Sequence, residues 1–295
     1  MTQLNKWLAL FCFFSIPAFA SPLTITTWNV EWLTTKSTSE LNIPQRTYED
    51  ESKLADYFNK LNSDIIAFQE VDSIEALRRI SGNEFDLLLS DRAIPANKRH
   101  QFSHINQYTG FAIRKGFSII NYEDFPLENN SKLRFASYIS VEIEGNEVHL
   151  LSIHLKAGCS GAYKGNKNCQ RLKSQGEKLN LWIRAREENN DAYIILGDFN
   201  HNLAYPNDWM WDILTDNTSA TLATKNTQAK CKIRSNRHKG KTHQFRSVID
   251  HIVVSDSLSF QPAEQNLFKT QDVLDFQLSD HCPVSSVVQL VTPSR

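Results

Sequence analysis

The chain has 295 residues with 32 basic and 33 acidic side chains, a net charge of −1, and 41% hydrophobic residues. That supplies apolar surface for a sizeable core, and the charge balance excludes a protein that holds polyanions by bulk charge, so any phosphate preference has to be local. After the first 20 residues no apolar run approaches the length of a membrane-spanning helix.

Met1 to Ala20 carries one positive charge, Lys6, an apolar centre from Trp7 to Ile16 and a small-residue ending, Ala18-Phe19-Ala20. The pattern predicts a secretory signal peptide over 1–20 with cleavage after Ala20, and a secreted or periplasmic protein without a stable membrane anchor. Removing it leaves about 275 residues with 31 basic and 33 acidic side chains, a net charge of −2. No linker, repeat or low-complexity segment divides 21–295, which reads as one domain. Four cysteines remain, Cys159, Cys169, Cys231 and Cys282. In an exported chain an even number predicts two disulfides, and three pairings are open. The favoured ones are Cys159–Cys169, across a glycine-containing loop, and Cys231–Cys282. The absence of C-x-x-C and H-E-x-x-H motifs argues against zinc.

Strand-like runs recur at 23–28, 64–69, 85–89, 109–114, 135–143, 147–153, 192–196, 247–254 and 284–290. Helical spacing joins Leu54, Tyr57, Phe58 and Leu61, and then Leu172, Leu179, Trp182 and Ile183. These elements predict an α/β domain built on one mixed sheet or on two sheets packed together.

Several strands end in polar residues. The first runs into Asn29-Val30-Glu31-Trp32, where alternation places Asn29 and Glu31 on one face. The run 64–69 ends at Glu70, a carboxylate at the tip of a buried strand; a salt bridge or a helix cap would be its ordinary use, a cation its functional one. His154 follows the strand 147–153. Tyr193-Ile-Ile-Leu, a run suited to a strand buried on both faces, delivers Gly197-Asp198-Phe199-Asn200; alternation puts Asp198 and Asn200 on one side and Phe199 in the core. Asp250 sits mid-strand in 247–254, with His251 facing away as a structural residue, and Asp280-His281 lies in the loop before the last strand. A carboxylate beside a histidine can orient it and stabilise its imidazolium.

Lys225 to Arg246 holds Lys225, Lys230, Lys232, Arg234, Arg237, Lys239, Lys241 and Arg246 and no acidic residue. Such a stretch is either a solvated loop or a local contact for a polyanion, for which Lys232, Arg234, Arg237 and Lys239 are the candidates.

In order, W-N-V-E-W (28–32), F-Q-E (68–70), S-I-H-L (152–155), G-D-F-N (197–200), I-D-H-I (249–252) and S-D-H-C-P (279–283) span nearly the whole mature chain. The set resembles the endonuclease/exonuclease/phosphatase family, the deoxyribonuclease I-like phosphodiesterases. The resemblance implies a four-layer α/β sandwich, two mixed β-sheets packed face to face with helices outside. It implies Glu70 as the main ligand of a divalent metal assisted by Glu31 and Asp280, and their oxygen donors suit Mg²⁺ or Mn²⁺. His281 and Asp250 resemble the family's His–Asp pair, Asp198 and Asn200 the residues that position water and phosphate, and His154 the second histidine of the deoxyribonuclease branch. Asn29 and Arg134 match groups that face the substrate phosphate. Glu31 departs from the pattern, in which aspartate or another polar residue is frequent.

The implied activity is metal-dependent hydrolysis of phosphodiesters, with a nuclease as the leading expectation and a monomer without an obligate protein partner. Sphingomyelinase or inositol-phosphate phosphatase activity is the alternative on the same fold. A membrane-acting enzyme should offer an exposed apolar hairpin, for which Trp209-Met210-Trp211 is the candidate. A catalytically silent binding protein is the alternative of another class; keeping so many charges together argues against it.

Overall fold

A computed structural model describes residues 22–129, 131–235, 237–238 and 240–291. The expected signal peptide and Lys239 lie outside the described residues.

One sheet comprises β1 (Leu23–Leu33), β2 (Ile65–Val71), β3 (Phe85–Leu89), β4 (Tyr108–Arg114) and, from the end of the chain, β14 (Leu258–Phe260), β15 (Glu264–Gln265) and β16 (Val284–Leu290). The other comprises β5 (Ile119–Asn121), β6 (Phe125–Pro126), β7 (Phe135–Ile143), β8 (Asn146–His154), β9 (Ala192–Asp198), β10 (Thr221–Leu222) and β13 (Asp250–Val254). β11 (Lys232–Arg234) and β12 (Thr242–Gln244) form a separate hairpin inside the basic stretch. Both sheets are mixed: β1 runs parallel to β2, and β8 parallel to β9, while their other neighbours are antiparallel.

Strand alternation builds the layers. Ile25, Ile65 and Phe111 of the first sheet pack against Ile139, Leu150, Ile194 and Ile252 of the second. The opposite face of the first sheet, with Trp28, Ile66 and Phe68, is covered by Leu54, Phe58 and Leu77 from α1 (Tyr48–Lys60) and α2 (Ile74–Ser81). On the outer face of the second, Leu151, Tyr193 and Ile195 meet Leu172, Leu179, Ile183 and Met210 from α3 (Lys167–Glu188) and α4 (Trp209–Leu214). Fully burying one such Leu, Ile or Phe contributes roughly 1.5–3 kcal/mol, so both faces of each sheet stabilise the sandwich. A short α5 (Thr270–Asp275) precedes the last strand.

Four sequence expectations change. Trp209-Met210-Trp211 is no exposed hairpin: it starts α4, Met210 is fully buried, and the Trp209 indole N–H donates to the Gly161 carbonyl at 2.9 Å. Asp250 stands at the start of its strand rather than mid-strand: β13 begins there, and residues 247–249 lead into it. Alternation does not explain Glu31 or Asn200, which adopt left-handed backbones with φ of 51° and 52°. Arg234 is an internal anchor: its guanidinium donates to the carbonyls of Val273, Leu274 and Phe276 at 2.8–3.2 Å, where α5 ends.

Disulfides join Cys159 to Cys169 and Cys231 to Cys282. No helix among the described residues is long and apolar enough to cross a membrane.

Candidate active site

The parallel pairs at the centre of the two sheets end side by side, and the polar strand tips gather there. In register, Asn29 lies opposite Gln69 next to Glu70, His154 opposite Asp198, and Asp198 opposite Asp250. Gly197 permits this: a Cβ there would lie 2.1 Å from the Ile153 carbonyl oxygen, so any side chain would push β8 and β9 apart just below His154 and Asp198. Beneath the site, the Gln69 side chain donates to Ser152 Oγ at 3.4 Å, bridging the two sheets.

Asp198 is fully enclosed and heavily bonded. Asn29 Nδ2 donates to its Oδ2 at 3.1 Å, Asn200 Nδ2 to the same oxygen at 3.2 Å, and the Asn200 backbone N–H to Oδ1 at 2.7 Å. The last bond closes a tight turn that explains the left-handed Asn200, a conformation asparagine tolerates better than most residues. Burial raises the Asp198 pKa well above the usual carboxylate range, against the opposing pull of His281, Asn200 and Asn29.

His281 Nδ1 lies 2.8 Å from Asp250 Oδ2, and its Nε2 lies 3.9 Å from Asp198 Oδ2 and 3.8 Å from Asp280 Oδ1. Burial by itself would lower its pKa; the Asp250 charge and hydrogen bond, then Asp198 and Asp280, outweigh burial and hold it well above the ordinary histidine value. The neighbouring carboxylates thus favour the imidazolium form of His281. Ser279 fixes its loop, donating to the Asn29 carbonyl at 2.6 Å and accepting the His281 backbone N–H at 3.0 Å. His154 is the opposite case. Burial, then Arg134 and His281, push its pKa well down, so a neutral ring stands 3.4 Å from Asp198 Oδ2 and 3.8 Å from Glu70 Oε1.

Glu70 caps no helix; Ser73 caps α2. The Glu70 backbone is left-handed, with φ of 62°, its Oε2 accepts the Trp32 N–H at 3.1 Å, and Arg134 approaches Oε1 at 3.9 Å. Arg134 also donates to the Gln107 side chain. Glu31 accepts the Asp280 N–H at 3.0 Å, and burial followed by the Asp280 charge raises its pKa well above the carboxylate range. Left-handed backbones at Glu31, Glu70 and Asn200 hold three polar side chains in conformations that cost ~1–3 kcal/mol each unless the surroundings enforce them.

Two carboxyl clusters could invite a cation. Asp198, Asp250 and His281 offer ligand atoms within 4.8 Å of one another, but a protonated His281 has no lone pair to give. Glu70, Glu31 and Asp280 fit better. They are hard oxygen donors, and the Asp280 and Glu70 charges add to burial in raising the Glu31 pKa even with Arg46 3.9 Å away.

Of the basic candidates, Lys232 and Arg237 are exposed. Sequence reasoning missed several supporting residues. Buried Arg46 donates to four backbone carbonyls, Glu31, Val30, Gln277 and Leu278, and so ties the first strand to the Asp280-His281 loop. Gln107 holds Arg134. Neither lies in a motif, so the sequence carries no signal for them; Ser279 was visible within S-D-H.

Comparison with known proteins gives one family and one fold. Residues 26–281 match the model of the Endonuclease/Exonuclease/phosphatase family. A TDP2 structure from C. elegans superimposes with a TM-score of 0.62 at 16% identity, covering 91% of this chain and 75% of that one. D. rerio TDP2 complexed with single strand DNA product gives 0.62 at 15% identity, covering 91% and 99%. The mannosyl-6-phosphatase Bt3783 of Bacteroides thetaiotaomicron gives 0.61 at 16% identity, covering 92% and 100%. No curated protein matches in sequence.

Proposed function

The chain belongs to the endonuclease/exonuclease/phosphatase family, and from that premise we propose that it is an exported, divalent-metal-dependent phosphodiesterase that cleaves nucleic acid. The carrying observation is His281, held 2.8 Å from Asp250 and opposite Asp198, an arrangement that favours its imidazolium. Phosphodiester hydrolysis builds negative charge on phosphoryl oxygens, and a preorganised buried cation stabilises that charge without reorganising. Asp198, its pKa raised by burial, is suited to orient a water for in-line attack and to accept its proton near neutral pH. Asn29 and Asn200 fix the Asp198 carboxylate; Arg134 and neutral His154 face the remaining phosphate oxygens. Glu70, with Glu31 and Asp280, would hold a Mg²⁺ or Mn²⁺ ion, which supplies charge neutralisation at the phosphoryl and leaving oxygens when bound.

The choice of nucleic acid is supported by the exposed cations Lys232 and Arg237 in the basic stretch of a chain of net charge −1, together with the internal position of Met210 in the stretch considered for membrane docking. The two disulfides support an oxidising compartment. The test is purified protein with Mg²⁺ or Mn²⁺, with and without chelator, against plasmid DNA, single-stranded DNA, RNA, sphingomyelin and inositol phosphates. Metal-dependent cleavage of DNA or RNA is expected; turnover confined to the lipid or the inositol phosphates overturns the substrate.

A further inference from the structure

Beside His281 lies a cavity of about 380 Å³ whose lining includes Asp250, His281, Tyr205, Phe245, Arg246 and Val248. Tyr205 and Phe245 are 50% and 44% exposed, an unusual placement for two large rings beside a reactive centre. Both are held in place. The Tyr205 hydroxyl is 3.1 Å from Ser247 Oγ, and Phe245 packs edge-on against His243 with centroids 5.2 Å apart. Arg246 is exposed and has no hydrogen-bond or ion-pair partner among the described residues. The fold thus delivers to the reaction centre an aromatic pair and a free guanidinium from the end of the basic stretch.

We propose that this cavity is a base-stacking subsite: Tyr205 and Phe245 receive the nucleobase of a nucleotide adjoining the scissile phosphate, and Arg246 meets a flanking phosphate. The inference rests on the nucleic-acid reading above. A phosphate seated against His281 places its neighbouring substituent at the cavity mouth, and a planar ring with apolar faces and polar edges suits exposed aromatics with a charged rim. An acyl chain would require a dry tunnel, whereas Arg246, Asp250 and Asp280 line this one. Stacking tolerates every base and requires it to be unstacked from its own strand, so the subsite favours single-stranded substrate.

The experiment compares kcat/KM, with Mg²⁺, for a dinucleoside phosphate and for its analogue in which hydrogen replaces each base. Wild-type protein should prefer the base-bearing substrate by ~10-fold or more, the scale of one base–aromatic stack. Phe245→Ala and Tyr205→Ala should each erode that preference, the double variant should abolish most of it, and Phe245→Trp should keep it. Thermal melting checks that the variants fold, which their exposure favours. A wild-type protein that cleaves DNA or RNA without base preference, or a double variant that retains the preference, overturns the subsite and leaves the proposed activity standing. A wild-type protein that hydrolyses only sphingomyelin or inositol phosphates overturns the nucleic-acid reading and the subsite with it.

Discussion

Asp250 Oδ2 lies 2.8 Å from His281 Nδ1, although the residues are 31 positions apart and reach the site from different sheets, Asp250 at the start of β13 and His281 from the loop before β16. That pairing decides the protonation of the reaction centre, because burial alone would strip the proton from His281. Asp250→Asn should therefore lower the His281 pKa. If the cation is the active form, the basic limb of the pH–rate profile moves to lower pH and turnover at neutral pH falls by at least ~10²-fold. NMR titration of the imidazole and the rate profile check both. An unmoved limb in the folded variant refutes the role assigned to the pair.

Metal dependence divides the carboxylates. Glu70→Gln should keep the fold and weaken Mg²⁺ or Mn²⁺ binding, since an amide oxygen is a poorer ligand than a carboxylate for a hard cation. Glu31→Gln should raise the melting temperature of the metal-free protein, because Glu31, whose pKa burial and then the Asp280 charge raise to about 8, must take up a proton on folding at neutral pH, a cost that Gln does not carry while its amide oxygen still accepts the Asp280 N–H. It should also weaken the ion. Calorimetric titration of metal and melting curves with and without chelator distinguish these outcomes. Unchanged metal affinity in Glu70→Gln moves the centre elsewhere.

The sequence was most informative where one strand periodicity governed. Phe85–Leu89, Phe135–Ile143 and Val284–Leu290 are strands with the boundaries their apolar runs suggest. The Gly197-Asp198-Phe199-Asn200 turn is legible from the apolar run 193–196 that glycine ends, and the close approach of Ile153 to Gly197 is its structural reason. Legibility fails at two kinds of residue. Glu31 and Asn200 leave the extended backbone, so period-two reasoning misassigns why they face the site. Arg46, Gln107 and Arg234 act through long-range bonds to carbonyls and amides, which no local pattern encodes. The two-to-three-residue strands β5, β6, β10 and β11 are set by pairing partners rather than by their own composition.

His251 gives a stability prediction with a defined sign. It is fully buried, with Nδ1 2.6 Å from Thr224 Oγ1 and Nε2 accepting the Leu203 N–H at 3.2 Å, and burial pushes its pKa down to about 4. The unfolded chain binds this proton near pH 6.5 and the folded chain only near pH 4. The stabilising contribution is thus complete above pH 6.5 and is lost as pH falls through 4, an effect of ~3 kcal/mol. In His251→Gln the amide oxygen can take the Leu203 N–H but does not titrate. Denaturant melts should show the wild-type advantage over this variant shrinking by about that amount between pH 7 and pH 4. A pH-independent gap would mean that His251 is not held neutral.

The basic hairpin separates two uses of the same charge. Lys232 and Arg237 are exposed, whereas Arg234 is bonded to the carbonyls of Val273, Leu274 and Phe276. If the hairpin tracks a nucleic-acid backbone, neutralising Lys232 and Arg237 together should weaken binding similarly across sequences. The log–log salt slope should become shallower by roughly 0.7–0.9 for each phosphate that the variant no longer neutralises. Turnover at saturating substrate should hold, because charges remote from the reacting atoms bind ground and transition states alike. Arg234→Gln should behave differently: three carbonyls at the end of α5 are left without their donor, so the melting temperature falls while the salt slope stays put. Binding isotherms over a salt series, paired with melts, read both effects. A salt slope that moves with Arg234 and not with Lys232 and Arg237 would invert the assignment and place the polyanion on the α5 side of the hairpin.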